Sequence, residues 1–339
     1  MKNTPLILFG FLFSCIMACS ISKPLKGKII CIDAGHGATA QTDSFRIGPT
    51  GEREEWINLR VALFLEKMLK QTGATILMTR ISDVNVPLKD RAEIAVKGKA
   101  DLFISIHHNS TNDSTVNIPT IYYHGAAGEN RASIQFAEIV GLQLQHALFN
   151  SHTPVVVASD YIIFSGSGTG VLRNSYGIPG VITEASYFNN YAEEKRLKDT
   201  LYNKKEANAI AKAVLQYFKK PKLEILPKFS TVQIPVFKNL DEGKQTDTIA
   251  GKWKSFYNQA KVLYCKNDSA SLRKAFVLFS LAAQSYPDSY IAGECHFYRS
   301  LILKKEGKLA ESKAEAVRVK EFYYLPNLSD SLNYYQLLK

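Results

Sequence analysis

Short apolar runs alternate with amphipathic helical segments through the first two thirds of the chain. Residues 28–33, 74–79, 101–106 and 178–184 are rich in β-branched and other apolar residues, as buried strands are. Between and after these runs, apolar residues recur at helical spacing in residues 54–70, 88–96, 132–148 and 203–218. This order predicts an α/β domain with a largely parallel sheet and helices on both faces.

The last third of the chain has a different pattern. Residues 221–250 contain three prolines and no sustained periodicity, and we interpret them as a linker or an irregular arm. Four helical segments then follow with short joints, at residues 252–266, 271–286, 290–306 and 308–324. Ala275, Phe279, Ala282 and Pro287 have the spacing of a tetratricopeptide repeat helix. We therefore predict an α/β domain at residues 26–220, a linker at 221–250 and a small all-helical tetratricopeptide-like module at 251–339.

The N-terminus has the features of an export signal. Lys2 precedes an apolar stretch, residues 5–19, that is shorter than the ~20 residues needed to span a bilayer. Residues 16–19 (IMAC) resemble a bacterial lipobox, in which the cysteine is lipidated and becomes the new N-terminus; the alternative is simple cleavage near that site. We expect residues 1–19 to be a signal peptide. The protein would then act in the periplasm or cell envelope, with a membrane contact only through a lipid at Cys19.

The net charge indicates which binding partners to expect, and the cysteines indicate whether disulfides hold the fold. The formal net charge is +11, which favours polyanionic surroundings such as the cell wall or anionic lipid. Nucleic acid is not expected, because an exported protein rarely meets it and no basic motif is interleaved with aromatic residues. The thiols outside the signal are those of Cys31, Cys265 and Cys295, which do not make a disulfide framework.

Titratable side chains stand where the apolar runs end. His36 follows the first run between two glycines, His107 and His108 follow the third, and Glu184 closes the run at residues 178–184. Glu54 lies in the first turn of the following helix. The carboxyl ends of parallel strands meet at one edge of a sheet, so these side chains should converge. Adjacent residues of an extended segment point to opposite sides, and at most one of the paired histidines faces His36.

Two imidazoles and one carboxylate are a catalytic zinc ligand set, with water in the fourth position. The sequence thus predicts a Zn²⁺ site, and Glu184 is placed to handle protons beside it. The residues alone do not separate Glu54 from Glu52 and Glu55 as the ligand. Asp33, on the same turn as His36, could orient an imidazole or simply stabilise the turn.

Four segments resemble the motifs of the zinc-dependent N-acetylmuramoyl-L-alanine amidases (amidase type 3), which are bacterial cell-wall enzymes. They are residues 32–37 (IDAGHG), 54–59 (EEWINL), 105–109 (SIHHN) and 179–190 (PGVITEASYFNN). The resemblance covers about residues 28–218. It implies that the zinc ligands are His36, Glu54 and His107 and that Glu184 is the catalytic carboxylate.

Other residues of these four segments lie next to the expected ligands or differ from the family pattern. We expect Asp33 and Asn109 to support the ligands without touching the metal. The chain departs from the family pattern at three positions: Glu55 stands where a basic residue is usual, Ser186 where glycine is common, and His108 where a small residue is normal. None of these departures removes an expected ligand.

The family resemblance implies hydrolysis of the amide between N-acetylmuramic acid and the L-alanine of the peptidoglycan stem peptide. One alternative is a zinc peptidase acting within the stem peptide, with the same metal and base. Another is an inactive wall-binding lipoprotein that recruits partners through its C-terminal helices. Those helices carry only His296 and no acidic cluster, so we expect them to contact a protein partner or to pack on the catalytic domain.

Overall fold

The structure is a computed structural model that describes residues 23–43, 45–240 and 251–323. Its strands are β1 (Ile29–Ala34), β2 (Thr75–Met78), β3 (Leu102–Asn109), β4 (Thr120–Tyr123), β5 (Val156–Ser159) and β6 (Gly180–Tyr187). The helices of the α/β part are α1 (Glu54–Gln71), α2 (Leu88–Lys97), α3 (Arg131–Leu148), α4 (Gly170–Asn174), α5 (Tyr191–Leu197) and α6 (Thr200–Tyr217). The C-terminal module contains α7 (Trp253–Lys266), α8 (Ser269–Ser285), α9 (Ala292–Lys305) and α10 (Leu309–Phe322).

The six strands form one mixed, mostly parallel sheet in the order β2-β1-β3-β6-β4-β5. β1 pairs in parallel with β2 and β3, β3 pairs in parallel with β6, and β4 pairs antiparallel with β6 and parallel with β5. We call the edge at which β1, β3 and β6 end the carboxyl edge, and the opposite edge, at which they begin, the amino edge. The predicted α/β class, with its largely parallel sheet, is confirmed.

Helices cover both faces of this sheet. Successive side chains of a strand point to opposite faces, and these strands are apolar at most positions, so both faces are apolar. On the first face, Ile30 and Ile32 pack in a cluster with residues of α1, α3 and α6. On the second face, Cys31 and Phe103 pack in a cluster with residues of α2 and α4 and with Trp253 of the C-terminal module. The C-terminal module therefore covers part of the second face of the sheet.

The C-terminal module also has a hydrophobic cluster of its own. Ala275, Phe279 and Ala282 on α8 are buried in it, together with Cys295 and Ile302 on α9. These three α8 positions are the ones whose spacing predicts a repeat helix. Cys265 is exposed and Cys295 is buried, and both are free thiols.

The described part of the predicted linker, residues 221–240, packs against both neighbours. Ile225 makes an isolated β-bridge with Asn130, and the Leu226 amide donates to the carbonyl of Glu129 at 2.7 Å. Farther along, the Arg318 guanidinium of α10 donates to the carbonyl of Pro235. This stretch therefore contacts the α/β part at one end and the helical module at the other, while the domain boundaries themselves stay a prediction.

Several predicted features lie outside the described residues. They are the signal peptide at residues 1–19 with its lipobox cysteine, residues 241–250 of the linker, and residues 324–339 of the helical module. Within the described ranges, none of the helices is both long and apolar enough to span a bilayer.

Candidate active site

The turn after β1 holds His36 in an uncommon backbone conformation. His36, Gly37 and Ala38 have φ angles of 58°, 131° and 52°. Left-handed conformations cost roughly 1–2 kcal/mol for a residue with a side chain. Arg80 donates to the carbonyls of residues 34 and 35 at 2.7 and 2.9 Å, and Arg91 to those of residues 34 and 36 at 2.7 and 2.5 Å. These hydrogen bonds offset the strain and fix the position of the imidazole.

Asp33 supports this turn through the guanidinium group of Arg91. Its carboxylate accepts from Arg91 at 2.8 Å, from the Thr79 hydroxyl at 2.6 Å and from the Ser105 hydroxyl at 2.6 Å. Burial alone would raise the pKa of Asp33, but Arg91 and the two hydroxyls outweigh it and hold that pKa below its ordinary value. Asp33 thus acts on the turn that carries His36 through Arg91, which binds both the carboxylate and the turn carbonyls.

The three expected ligands converge on one point. Glu54 Oε1 lies 3.1 Å from His36 Nε2 and 3.0 Å from His107 Nδ1, and one ligand atom from each residue lies within 4.8 Å of the others. Atoms bound to one zinc ion at about 2.0–2.2 Å lie roughly 3–3.5 Å apart, so two imidazole nitrogens and a carboxylate oxygen in this arrangement fit the ion. These are the ligands that the family resemblance implies.

The charge states of the cluster also suit a cation. Burial alone would raise the pKa of Glu54, but His36 and His107 outweigh it and hold that pKa well below its ordinary value. Burial lowers the pKa of His36. A carboxylate that stays ionised beside a neutral imidazole is the combination that binds a metal without first losing protons.

His107 and His108 point to opposite sides of β3. His107 joins the cluster, whereas the buried His108 lies with Nε2 3.1 Å from Glu206 Oε2 and Nδ1 2.9 Å from Asn58 Oδ1. Burial alone would lower the pKa of His108, but Glu206 raises it above the ordinary value. His108 therefore links β3 to α1 and α6, and Asn58 in turn donates to Glu54 Oε1 at 3.2 Å.

Glu184 lies on β6 directly beside His107. The two residues are partners in the parallel pairing of β3 and β6, so their side chains point to the same face of the sheet. Among the described residues, the buried Glu184 Oε2 has no hydrogen-bond partner. Burial and the nearby Glu54 carboxylate raise the pKa of Glu184 well above its ordinary value. A carboxyl group with a raised pKa is suited to take up and release a proton during a reaction.

Arg46 is a functional candidate that the sequence did not single out. Its Nη1 lies 3.2 Å from His36 Nε2 and 3.4 Å from Glu54 Oε2, and its Nε pairs with Asp43 at 2.8 Å. The side chain is 37% exposed, so it borders the cluster from the solvent side. It lies in a polar loop with no periodicity, and nothing local in the sequence distinguishes it from the other basic residues.

The helical module contributes residues next to the strands that carry His107 and Glu184. Asn109 Nδ2 donates to the Tyr187 hydroxyl at 3.2 Å and to Asp288 Oδ2 at 3.4 Å. The Tyr122 hydroxyl also donates to Asp288, and the hydroxyls of Tyr187 and Tyr286 are hydrogen-bonded. Asn109 therefore connects the end of β3 to the α8–α9 joint of the module. The sequence did not predict the contact between Asp288 and Asn109, because the two residues are far apart in the chain and no motif links them.

Comparison with known proteins shows similarity to proteins named as amidases. N-acetylmuramoyl-L-alanine amidase LytC of Bacillus subtilis is 30% identical over 220 residues, which are 64% of this chain and 40% of that protein. The probable cell wall amidase LytH of Staphylococcus epidermidis is 33% identical over 197 residues, which are 58% of this chain and 60% of that protein. The chain thus spans between two fifths and three fifths of the length of these two relatives.

Among solved structures, N-acetylmuramoyl-L-alanine amidase AmiC2 of Nostoc punctiforme matches with 28% identity and a TM-score of 0.49. The match covers 59% of this chain and 99% of that one. Residues 30–216, more than half of the chain, match the family model described as N-acetylmuramoyl-L-alanine amidase. This range contains His36, Glu54, His107 and Glu184. The chain therefore belongs to the N-acetylmuramoyl-L-alanine amidase family.

Proposed function

We propose that this protein hydrolyses the amide between N-acetylmuramic acid and the L-alanine of the peptidoglycan stem peptide. Family membership supports the reaction class. One observation carries the assignment: His36, Glu54 and His107 form a three-ligand cluster, and Glu184 stands beside it as the strand partner of His107.

We propose that the cluster holds zinc, with His36, Glu54 and His107 as its ligands. Two neutral imidazoles and a carboxylate are a donor set that zinc accepts in catalytic sites. When bound, zinc would polarise the amide carbonyl and lower the pKa of a water to about 7. The remaining tasks, which are proton transfer and substrate placement, fall to side chains of the protein.

Glu184 is proposed to carry the proton. It takes a proton from the attacking water as the oxygen adds to the lactyl carbonyl carbon, and it gives a proton to the nitrogen as the carbon–nitrogen bond breaks. The products are a lactyl carboxylate and a stem peptide with a free L-alanine amino group. The raised pKa of Glu184 supports the second step, because burial favours the protonated form that donates to the nitrogen.

The cell envelope is the proposed site of action. The N-terminal pattern and the peptidoglycan substrate support export, and the context of Cys19 supports a lipid attachment there. The helical module is proposed to bind a protein partner through a surface that does not face the sheet. Val262, Val277 and Leu309 of the module are exposed and do not belong to its contacts with the sheet, so they are available to such a partner.

Product analysis tests the reaction. Purified peptidoglycan digested by the metal-loaded protein should release intact stem peptides that begin with L-alanine, and mass spectrometry identifies them. Glu184→Gln should reduce the rate by at least about 10²–10⁴-fold while metal content by elemental analysis stays at the wild-type level. Fragments cut within the stem would instead assign a peptidase, and undiminished digestion by Glu184→Gln would remove this residue from the mechanism.

A further inference from the structure

Lysines gather at the amino edge of the sheet, at the opposite end of the strands from His36. Three precede β1, one lies in the last turn of α1, two lie at the joint between α2 and β3, and two follow α6. We call these residues the amino-edge face: Lys23, Lys26, Lys28, Lys70, Lys97, Lys99, Lys219 and Lys220. All of them are exposed except Lys28, which is half-buried.

Backbone contacts bring these segments together. The Leu25 amide donates to the carbonyl of Thr72 at 3.1 Å, which joins the chain before β1 to the end of α1. The Asp101 amide donates to the carbonyl of Ile29 at 2.7 Å, which joins the start of β3 to the start of β1. The Lys28 ammonium lies 5.1 Å from the centre of the Phe218 ring, directly after α6. The amino-edge face is therefore one continuous surface built from four parts of the chain.

The amino-edge face has a strong excess of positive charge. Glu66 pairs with Lys70 at 2.7 Å and Glu93 with Lys97 at 2.6 Å. Asp101 accepts from the Ile29 amide at 2.8 Å. The other six lysines have no ion pair within the part of the chain that the structure describes. A surface with this balance attracts an extended anionic partner.

We propose that the amino-edge face docks on the anionic phospholipid headgroups of a membrane. Lysine ammonium groups are compact point charges, which suit a diffuse layer of phosphates better than the two-pronged recognition that arginine provides. The segments that build the amino-edge face, residues 23–29, 69–73, 96–101 and 218–222, contain no arginine. A polybasic surface of this kind gains about fivefold in binding for each lysine that reaches an anionic bilayer.

The orientation of the fold favours a membrane over the wall as the partner. β1 has six residues, so the metal ligands lie about 20 Å from the amino-edge face along the strand. A protein that docked on the wall through this face would turn its active site away from the polymer it had bound. Docked on a membrane, it presents the His36 cluster outward, toward the wall.

The position of Cys19 agrees with this arrangement. Cys19 precedes Lys23 by four residues, a distance of at most about 14 Å for a fully extended chain. A lipid on Cys19 would therefore enter the bilayer close to Lys23 and Lys26. The positive charge of the amino-edge face does not depend on that lipid. The proposed membrane binding by this face does not depend on the proposed hydrolysis.

Vesicle binding tests the proposal. The chain from Ser20 onward keeps every described residue and carries no lipid, so its binding measures electrostatics alone. It should sediment with vesicles that contain phosphatidylglycerol, should ignore pure phosphatidylcholine vesicles, and should dissociate as salt is raised. Replacing Lys23, Lys26, Lys219 and Lys220 with glutamine should weaken this binding about 600-fold, at about fivefold for each lysine. The double change Lys219→Gln/Lys220→Gln should weaken it about 25-fold.

A matched control removes the same charge elsewhere. The control variant replaces four exposed lysines of the helical module with glutamine: Lys252, Lys266, Lys274 and Lys313. It should bind phosphatidylglycerol vesicles like wild type, and all variants should release soluble peptidoglycan products at the wild-type rate. Equal loss in the control and amino-edge variants would overturn the proposal. So would a wild-type chain that ignores these vesicles, or an amino-edge variant that loses binding to purified wall but not to vesicles.

Discussion

Replacing Asp33 with asparagine tests how the turn that carries His36 is held. Asparagine has nearly the same shape but no charge. In the wild type, the 1%-exposed carboxylate accepts three hydrogen bonds, from Arg91, Thr79 and Ser105, at 2.6–2.8 Å. The substitution keeps the site filled, so its effect reports the charge and not a cavity.

The structure sets the expected size of the effect. Removing one partner of a buried ion pair typically costs about 3–5 kcal/mol, because the other charge stays buried. Arg91 keeps its bonds to the carbonyls of residues 34 and 36 and to that of Val86, and asparagine still accepts from one hydroxyl. We therefore expect a loss of about 3 kcal/mol in the free energy of unfolding at pH 7.

The pH dependence has a definite sign. The pKa of Asp33 is lowered by folding, so its contribution to stability is complete above the unfolded pKa of about 4 and disappears as the pH falls through the lower, folded value. The difference between wild type and Asp33→Asn should therefore shrink on acidification below about pH 4. Zinc affinity should also fall about 10–100-fold, because the turn that carries His36 loosens.

Urea unfolding and calorimetric zinc titration measure these effects. Glu66→Gln is the control, since it breaks the solvent-accessible i,i+4 pair between the half-buried Glu66 and the exposed Lys70 and should change the free energy of unfolding by less than about 0.5 kcal/mol. If Asp33→Asn stayed within that margin and bound zinc like wild type, the argument that Asp33 and Arg91 hold the His36 turn would be refuted.

Three further predictions concern other parts of the molecule. Arg46→Met should raise zinc affinity at least about fivefold by calorimetry, because it removes a cation beside the ligands; unchanged affinity would place the guanidinium elsewhere in the loaded protein. The losses in free energy of unfolding caused by Tyr122→Phe and by Asp288→Ala should be non-additive in a double-mutant cycle, with a coupling free energy of about 1–2 kcal/mol. Additive losses would mean that the Tyr122–Asp288 hydrogen bond does not join the module to the sheet. In the chain from Ser20 onward, Cys265 should react with a thiol reagent at about pH 8, while Cys31, whose pKa burial raises to about 12, should react only after unfolding.

The features that the sequence predicts well depend on local patterns. The apolar runs locate β1, β3 and β6, and a side chain at the end of a parallel strand must lie at the carboxyl edge whatever the other details of packing. The positions of His36, His107 and Glu184 along the chain are therefore sufficient to predict that they converge. Period-two alternation likewise required His107 and His108 to separate, although only the family resemblance indicated which one joins the metal ligands.

The features that the sequence misses depend on contacts between distant segments. The Asp33–Arg91 pair joins β1 to α2, and neither residue reveals its partner through spacing. Arg46 comes from an irregular loop, and Asp288 from a joint between two helices of the module. The composition of residues 221–240 indicates a linker, yet this segment packs on its neighbours, because backbone hydrogen bonds to the segment around Glu129 leave no periodic signal.

The helical module packs on the face of the sheet that carries the proposed catalytic residues. His107 and Phe103 are four residues apart on β3 and so point to the same face, and Phe103 is packed in the cluster that includes Trp253 of the module. Glu184 points to this face as the strand partner of His107. The face that carries His107 and Glu184 at its carboxyl edge is thus also the face on which Trp253 of the module packs. A change in how the module docks would move Tyr122 and Asn109, and through them the strand ends that position His107 and Glu184.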